Sequence, residues 1–89
     1  MPEHEIVRLK ADVLIQALSD QEAIALDVSS EKYFEINESA LSLSVLLQDG
    51  ATLAQLTDRL CETFEVGRAE AAHDVDLLVR LFAEHDMLR

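Results

Sequence analysis

Three histidines, one cysteine and eighteen carboxylates are the residues of this chain best suited to chemistry, and their spacing argues against most of it. His4, His73 and His85 stand at no metal-ligand spacing with any carboxylate pair. A single cysteine excludes an internal disulfide and a cysteine-based metal site, so Cys61 reads as a small core or boundary residue. No glycine-rich phosphate loop, nucleophile elbow or Ser/His/Asp grouping occurs. The acidic residues are spread along the chain, and none stands out as a catalytic pair. A chain of 89 residues also has little core from which to carve a catalytic cleft. The expectation is a protein that is not an enzyme and that uses no metal and no cofactor.

Composition narrows the partners. Eighteen acidic against seven basic residues give a net charge of −11, which repels phosphate backbones and anionic membrane surfaces. Apolar residues make up 49% of the chain, fifteen of them leucine, so it is not a disordered acidic tail. Apolar runs of only a few residues cannot span a bilayer. Met1-Pro2-Glu3-His4-Glu5 lacks the basic and apolar regions of a signal peptide, so the expected location is the cytoplasm. The length suits one domain, residues 1–89.

Two textures divide the chain. Val13-Leu14-Ile15 begins a short β-branched run, and Asp20-Gln21 follows as a turn. From Glu22 to Val28 the residues alternate, with Ile24, Leu26 and Val28 on one face and Ala23, Ala25 and Asp27 on the other. Lys32 to Asn37 alternates again, placing Phe34 and Ile36 opposite Tyr33 and Glu35. The polar Ser29-Ser30-Glu31 between them makes the two runs a hairpin. Glu5–Lys10 is open to two readings, an extension of the sheet or a loose segment. After Asn37, a plausible N-cap, the period becomes helical through Ala40, Leu43, Leu46 and Leu47. Gly50 stands where a left-handed helix end is expected, and Thr52-Leu53-Ala54-Gln55 has the form of a capping box. Leu53, Leu56, Leu60 and Phe64 stripe the second helix; Glu65-Val66-Gly67 breaks it, and a third runs from Arg68 to Asp86. The order is βββααα, an α+β fold.

The third helix is apolar over too wide an arc. At about 100° per residue, Val75, Leu78, Leu81, Phe82, Val79 and three alanines span roughly −120° to +80°, and Leu77 widens this further. Such a helix covers two surfaces, the core and something else. Asp74 and His85 fall inside the arc, whereas His73, Asp76, Arg80 and Glu84 mark the solvent face. Asp74 has two roles open to it: a specific polar contact to a ligand, or a local cap or salt bridge.

Ala25-Leu26-Asp27, followed by Glu31-Lys32-Tyr33-Phe34-Glu35-Ile36-Asn37-Glu38-Ser39-Ala40, resembles the PqqD-like family, also called RiPP recognition elements. That pattern is a strand ending in Leu-Asp, a turn, and Tyr-Phe-x-Leu-Asn-x-x-Ala entering the first helix. Ile36 replaces the Leu, and the turn lacks its frequent Gly. Gly50 with Thr52-Leu53, and Ala72-His73-Asp74-Val75 with Leu78 and Leu81, match later segments, so the likeness covers residues 12–88. It implies a winged helix-turn-helix fold, a three-stranded antiparallel sheet followed by three helices. It also implies binding of the leader of a ribosomally made precursor peptide and its delivery to modifying enzymes. The leader would add as a strand beside strand three, against helix three. Tyr33, Phe34, Glu35 and Ile36 would carry the strand contacts, and Asp74, Val75, Leu78, Leu81 and Phe82 the helix side. Phe34, Ile36 and Leu78 are equally open to a pure core role.

A stand-alone element of this size looks most like the lasso peptide type, whose partners are a leader peptidase and a cyclase. The pyrroloquinoline quinone chaperone is the alternative. A winged-helix DNA-binding regulator would share the fold, but its recognition helix would carry two Arg against Glu70, Asp74, Asp76, Glu84 and Asp86. A small dimeric scaffold using the wide arc is a third reading.

Overall fold

Side-chain alternation through residues 22–37 builds the hairpin it requires, and a third strand joins it. The computed structural model describes residues 5–89, so His4 lies outside the described residues. Strands β1 (Val13–Ala17), β2 (Glu22–Asp27) and β3 (Lys32–Asn37) form one antiparallel sheet in the order β1-β2-β3. Helices α1 (Glu38–Asp49), α2 (Leu53–Thr63) and α3 (Arg68–Glu84) follow. Among the described residues no helix is long and apolar enough to cross a membrane.

The inward face of β2 is its small one. Ala23 and Ala25 are fully buried, whereas Ile24 and Leu26 are half-buried and Val28 is exposed on the opposite side. Small inward side chains let α1 lie close on the sheet, where Leu43 and Leu47 fill the space. Large apolar residues are thereby left outside. Asp27, on the inward side at the end of β2, accepts hydrogen bonds from the Ser29 amide and hydroxyl at 3.1 and 2.9 Å. The Ser29 hydroxyl in particular holds its carboxyl below the usual range. The stability this contributes is complete above the ordinary carboxylate range and disappears as pH falls through the lowered value.

The helix ends follow their sequence signals closely. Asn37 Oδ1 accepts from the Ala40 amide at 2.9 Å, and the Thr52–Gln55 capping box is closed by bonds of 2.9 and 3.1 Å. Gly50 departs from expectation: φ 97° is positive, but ψ 136° is not the left-handed helical value. A side chain there would also meet Ile6 at 2.9 Å and Arg8 at 3.0 Å. Helix α3 stops at Glu84, two residues before the expected end.

Glu5–Lys10 neither joins the sheet nor stays loose. Val7 and Ala51 exchange backbone hydrogen bonds of 2.8 and 2.9 Å, and Leu9 pairs with Leu88. Both Val7 and Leu9 are buried, so the core includes residues that precede the stretch carrying the resemblance. Lys10 adds an ion pair to Asp86 at 3.0 Å. The segment ties the α1–α2 connection to the C-terminal residues, with Met87 fully buried between them.

Glu31 has φ 61° in the β2–β3 turn, the turn in which the resembled pattern often has Gly. A side chain in that conformation costs about 1 kcal/mol or more, part of which glycine returns as unfolded-state entropy. Glu31→Gly is therefore expected to stabilise the fold by about 0.5–1 kcal/mol, a rise of several degrees in melting temperature. Thermal unfolding followed by circular dichroism checks this, and a lower melting point would contradict the strain.

Candidate functional site

Among the described residues, strand β3 has a partner on one side only. Along its other side alternate amides and carbonyls are left without a strand to bond, the condition for adding an extended chain. Residues Tyr33 and Glu35 point outward and are exposed, Tyr33 to 67%. Phe34 and Ile36 point inward. Ile36 is buried, and Phe34 is half-buried, its ring 5.7 Å from that of Phe82 and tilted by 51°. The imidazole of His85 stacks on the same Phe34 ring at 4.6 Å, which explains a histidine inside the apolar arc of α3.

Beside this edge lies an open cleft of about 290 Å3. Strand β3 supplies Glu35 to Asn37, α1 supplies Ser39, Ala40 and Leu43, and α3 supplies Asp74, Leu77, Leu78 and Leu81, with Leu60 of α2 at its floor. The predicted residues Glu35, Ile36, Asp74, Leu78 and Leu81 thus meet at one place. Ile36 and Leu78 serve both as core and as cleft wall. Val75 and Phe82 do not line the cleft: both are buried in the core, where they support it from behind. The reason is their angle on α3, about 100° or more around the helix from Leu81 and Leu77. Tyr33 and Phe34 lie on the strand outside the cleft lining.

Two contributions escaped the sequence reading. The α1 residues follow Asn37 directly, so the first turn of that helix necessarily stands beside the end of β3; chain proximity was the usable signal. Leu77, half-exposed in the cleft, was visible only as a widening of the apolar arc. That arc also overstated the burial of Ala72 and Ala83, which are exposed.

Asp74 is half-buried among leucines and makes no hydrogen bond or ion pair among the described residues. Arg80, six residues on in the same helix, pairs instead with Asp76 at 3.1 Å. The local cap or salt bridge is therefore not what holds Asp74 there. A carboxylate beside an apolar wall is poised to accept a hydrogen bond from whatever enters. Cys61 packs against the core, as its position in α2 suggests. Among the described residues no group of His, Cys, Asp and Glu is placed to hold a metal ion.

An unpaired strand edge with a small apolar cleft alongside defines a domain suited to taking up an extended peptide. The family model described as Coenzyme PQQ synthesis protein D (PqqD) matches residues 22–88. The chain belongs to the PqqD family. No curated protein sequence matches it. Two solved structures share its fold. One is TbiB1 in complex with the TbiA(beta) leader peptide, with a TM-score of 0.78 and 22% identity, covering 92% of this chain and 94% of that one. The other is lasso peptide synthetase B1 complexed with the leader peptide, with a TM-score of 0.75 and 29% identity, covering 93% and 96%.

Because Asp74 has no partner to lose among the described residues, Asp74→Ala is expected to leave the melting temperature within about 3 °C of the parent. A drop well beyond that, measured by calorimetry, would return Asp74 to a structural role.

Proposed function

We propose that this domain binds the leader segment of a ribosomally synthesised precursor peptide and presents it to a modifying enzyme in the cytoplasm. The leader adds to β3 as a fourth strand and drops alternate side chains into the cleft against α3. Backbone pairing gives affinity that tolerates varied sequence, while the cleft selects side chains. The observation that carries this reading is the open β3 edge beside the cleft and its partnerless Asp74. The two leader-bound relatives support it and favour the lasso peptide class, with a leader peptidase or cyclase as the receiving enzyme. The name of the matching family model favours the alternative, a peptide chaperone of pyrroloquinoline quinone synthesis.

The domain works by binding alone, with no catalytic residue, metal or cofactor in the reading. Nucleic acid is disfavoured as a partner: α3 carries Glu70, Asp74, Asp76 and Glu84 against Arg68 and Arg80, and both arginines pair with carboxylates. Phosphate would meet net repulsion there.

Titration of labelled leader into the isolated domain, with a duplex DNA control, is expected to give saturable binding to leader only. Asp74→Ala should weaken it by about 1.5–3 kcal/mol, the range for a hydrogen bond to a charged group. That is a loss on the order of ten- to a hundredfold in affinity. Binding to DNA alone would overturn the reading, and undiminished leader affinity would remove Asp74 from the site.

Strand addition makes a separate forecast. Hydrogen exchange should slow in the leader and at residues 33–36 together. Protection confined to α2 would refute the geometry.

A further inference from the structure

The outer face of the sheet is the second unexplained surface of the domain. Leu14, Leu26 and Tyr33 stand in register across the three strands, with Ile24 in the next row and Leu18 and Val28 beyond. Leu14, Leu18, Val28 and Tyr33 are each more than half exposed. The inward alanines of β2 turn its large residues, Ile24 and Leu26, out to this same face. Yet alanine or threonine at Leu14 would have been cheaper in water, and four large apolar side chains more than half exposed on and around one face, rimmed by carboxylates, form a small surface that a partner can cover.

Charge says what fits on it. Glu22 and Glu35 occupy outward positions in the same face, and Asp12, Asp20 and Glu31 sit at the sheet's two ends. None of these five is ion-paired among the described residues. No Lys or Arg occupies an outward position on the three strands; Lys32 faces the Asp27 side. A second copy would set Glu22 and Glu35 against their own counterparts, with −11 on each molecule. The complementary surface is apolar at its centre and carries Lys and Arg around it.

Size says when it fits. Three strands of about five residues offer a face of about 14 by 17 Å. That is well short of the roughly 800 Å2 per partner of a standard stable interface. A strand added to β3 widens the face by about a third and continues the row that ends at Tyr33 with its own outward side chains.

We infer that the outer sheet face docks the enzyme that acts on the bound peptide, through a basic-rimmed apolar surface of that enzyme, and that it docks preferentially on the leader-loaded domain. This rests on the leader-binding reading above and extends it: the cleft holds the peptide from one side while the enzyme reads the completed sheet from the other. Coupling of the two is reciprocal, so the enzyme tightens leader binding by the same factor.

The test uses the full chain, its leader and the leader peptidase that processes that precursor. Leader affinity is measured first, for the parent and for Leu14→Glu and Leu18→Glu, two exposed positions outside the cleft. All three are expected to agree within twofold. Peptidase affinity, measured by calorimetry, should rise at least tenfold when leader is saturating. It should fall at least tenfold in either variant and weaken with added salt. Unchanged peptidase binding in both folded variants overturns the inference while leaving the leader-binding reading intact. So does a parent dimer that either variant dissolves, since the occupant is then a second copy. Failure of the parent to bind leader removes both readings.

Discussion

The contact between Phe34 of β3 and Phe82 of α3 sets the distance between the sheet edge and the last helix. Everything the site can do depends on that distance. Phe82 is fully buried, and its aromatic payload is worth about 1.5–3 kcal/mol of burial before any ring–ring term. With Phe34 held at this point, Ile36 two residues on is carried under α1, and the edge of β3 opens beside Asp74 and Leu81 rather than against them. A smaller residue at Phe34 or Phe82 would let α3 settle toward the strand and close the cleft. His85 extends the same contact by stacking on the Phe34 ring.

Much of this was legible in the sequence because local chemistry and global packing agree. Asn37 caps, the Thr52–Gln55 box closes, and the alternation of 22–37 pairs in the register its turn dictates. Asp27 explains why a strand here ends in Leu-Asp: its carboxylate organises the turn through Ser29. The reading failed where residues act across the fold. Nothing local tells that Val7 and Leu9 clasp two distant connections, since a single bridge at each leaves no periodic trace. Helical angle sets Val75 and Phe82 apart from Leu81 and Leu77 but does not say which pair is aimed at the core and which at the cleft. That division is made by where α2 and the sheet stand. Hydropathy also says little about which side of β2 is inside, because the buried side is the one with alanines.

A fold of three strands and three helices is shared by proteins that grip nucleic acid and proteins that grip peptide, so architecture leaves function open. Here electrostatics separates them. Helix α3 presents its carboxylates where a phosphate reader would need arginine. The arginines it has are engaged, Arg68 with Asp58 at 2.6 Å and Arg80 with Asp76. What α3 offers to the cleft is instead a leucine wall interrupted by one carboxylate, a surface that rewards an extended chain with an apolar side chain and a donor.

An open edge strand carries a hazard as well as a use, since it can pair with another copy of itself. Several features of this chain limit that outcome without blocking a peptide. Glu35 lies in the middle of the exposed edge, so antiparallel pairing of two β3 strands brings two unpaired carboxylates close together on one face. Asp74 adds a third and fourth charge at the cleft of such a pair, and the −11 of each molecule slows the encounter at long range. A peptide of different composition meets none of this self-repulsion. The acidity that opposes a phosphate backbone thus also opposes self-pairing of β3, and the edge can stay apolar enough to bind because its protection is electrostatic rather than steric.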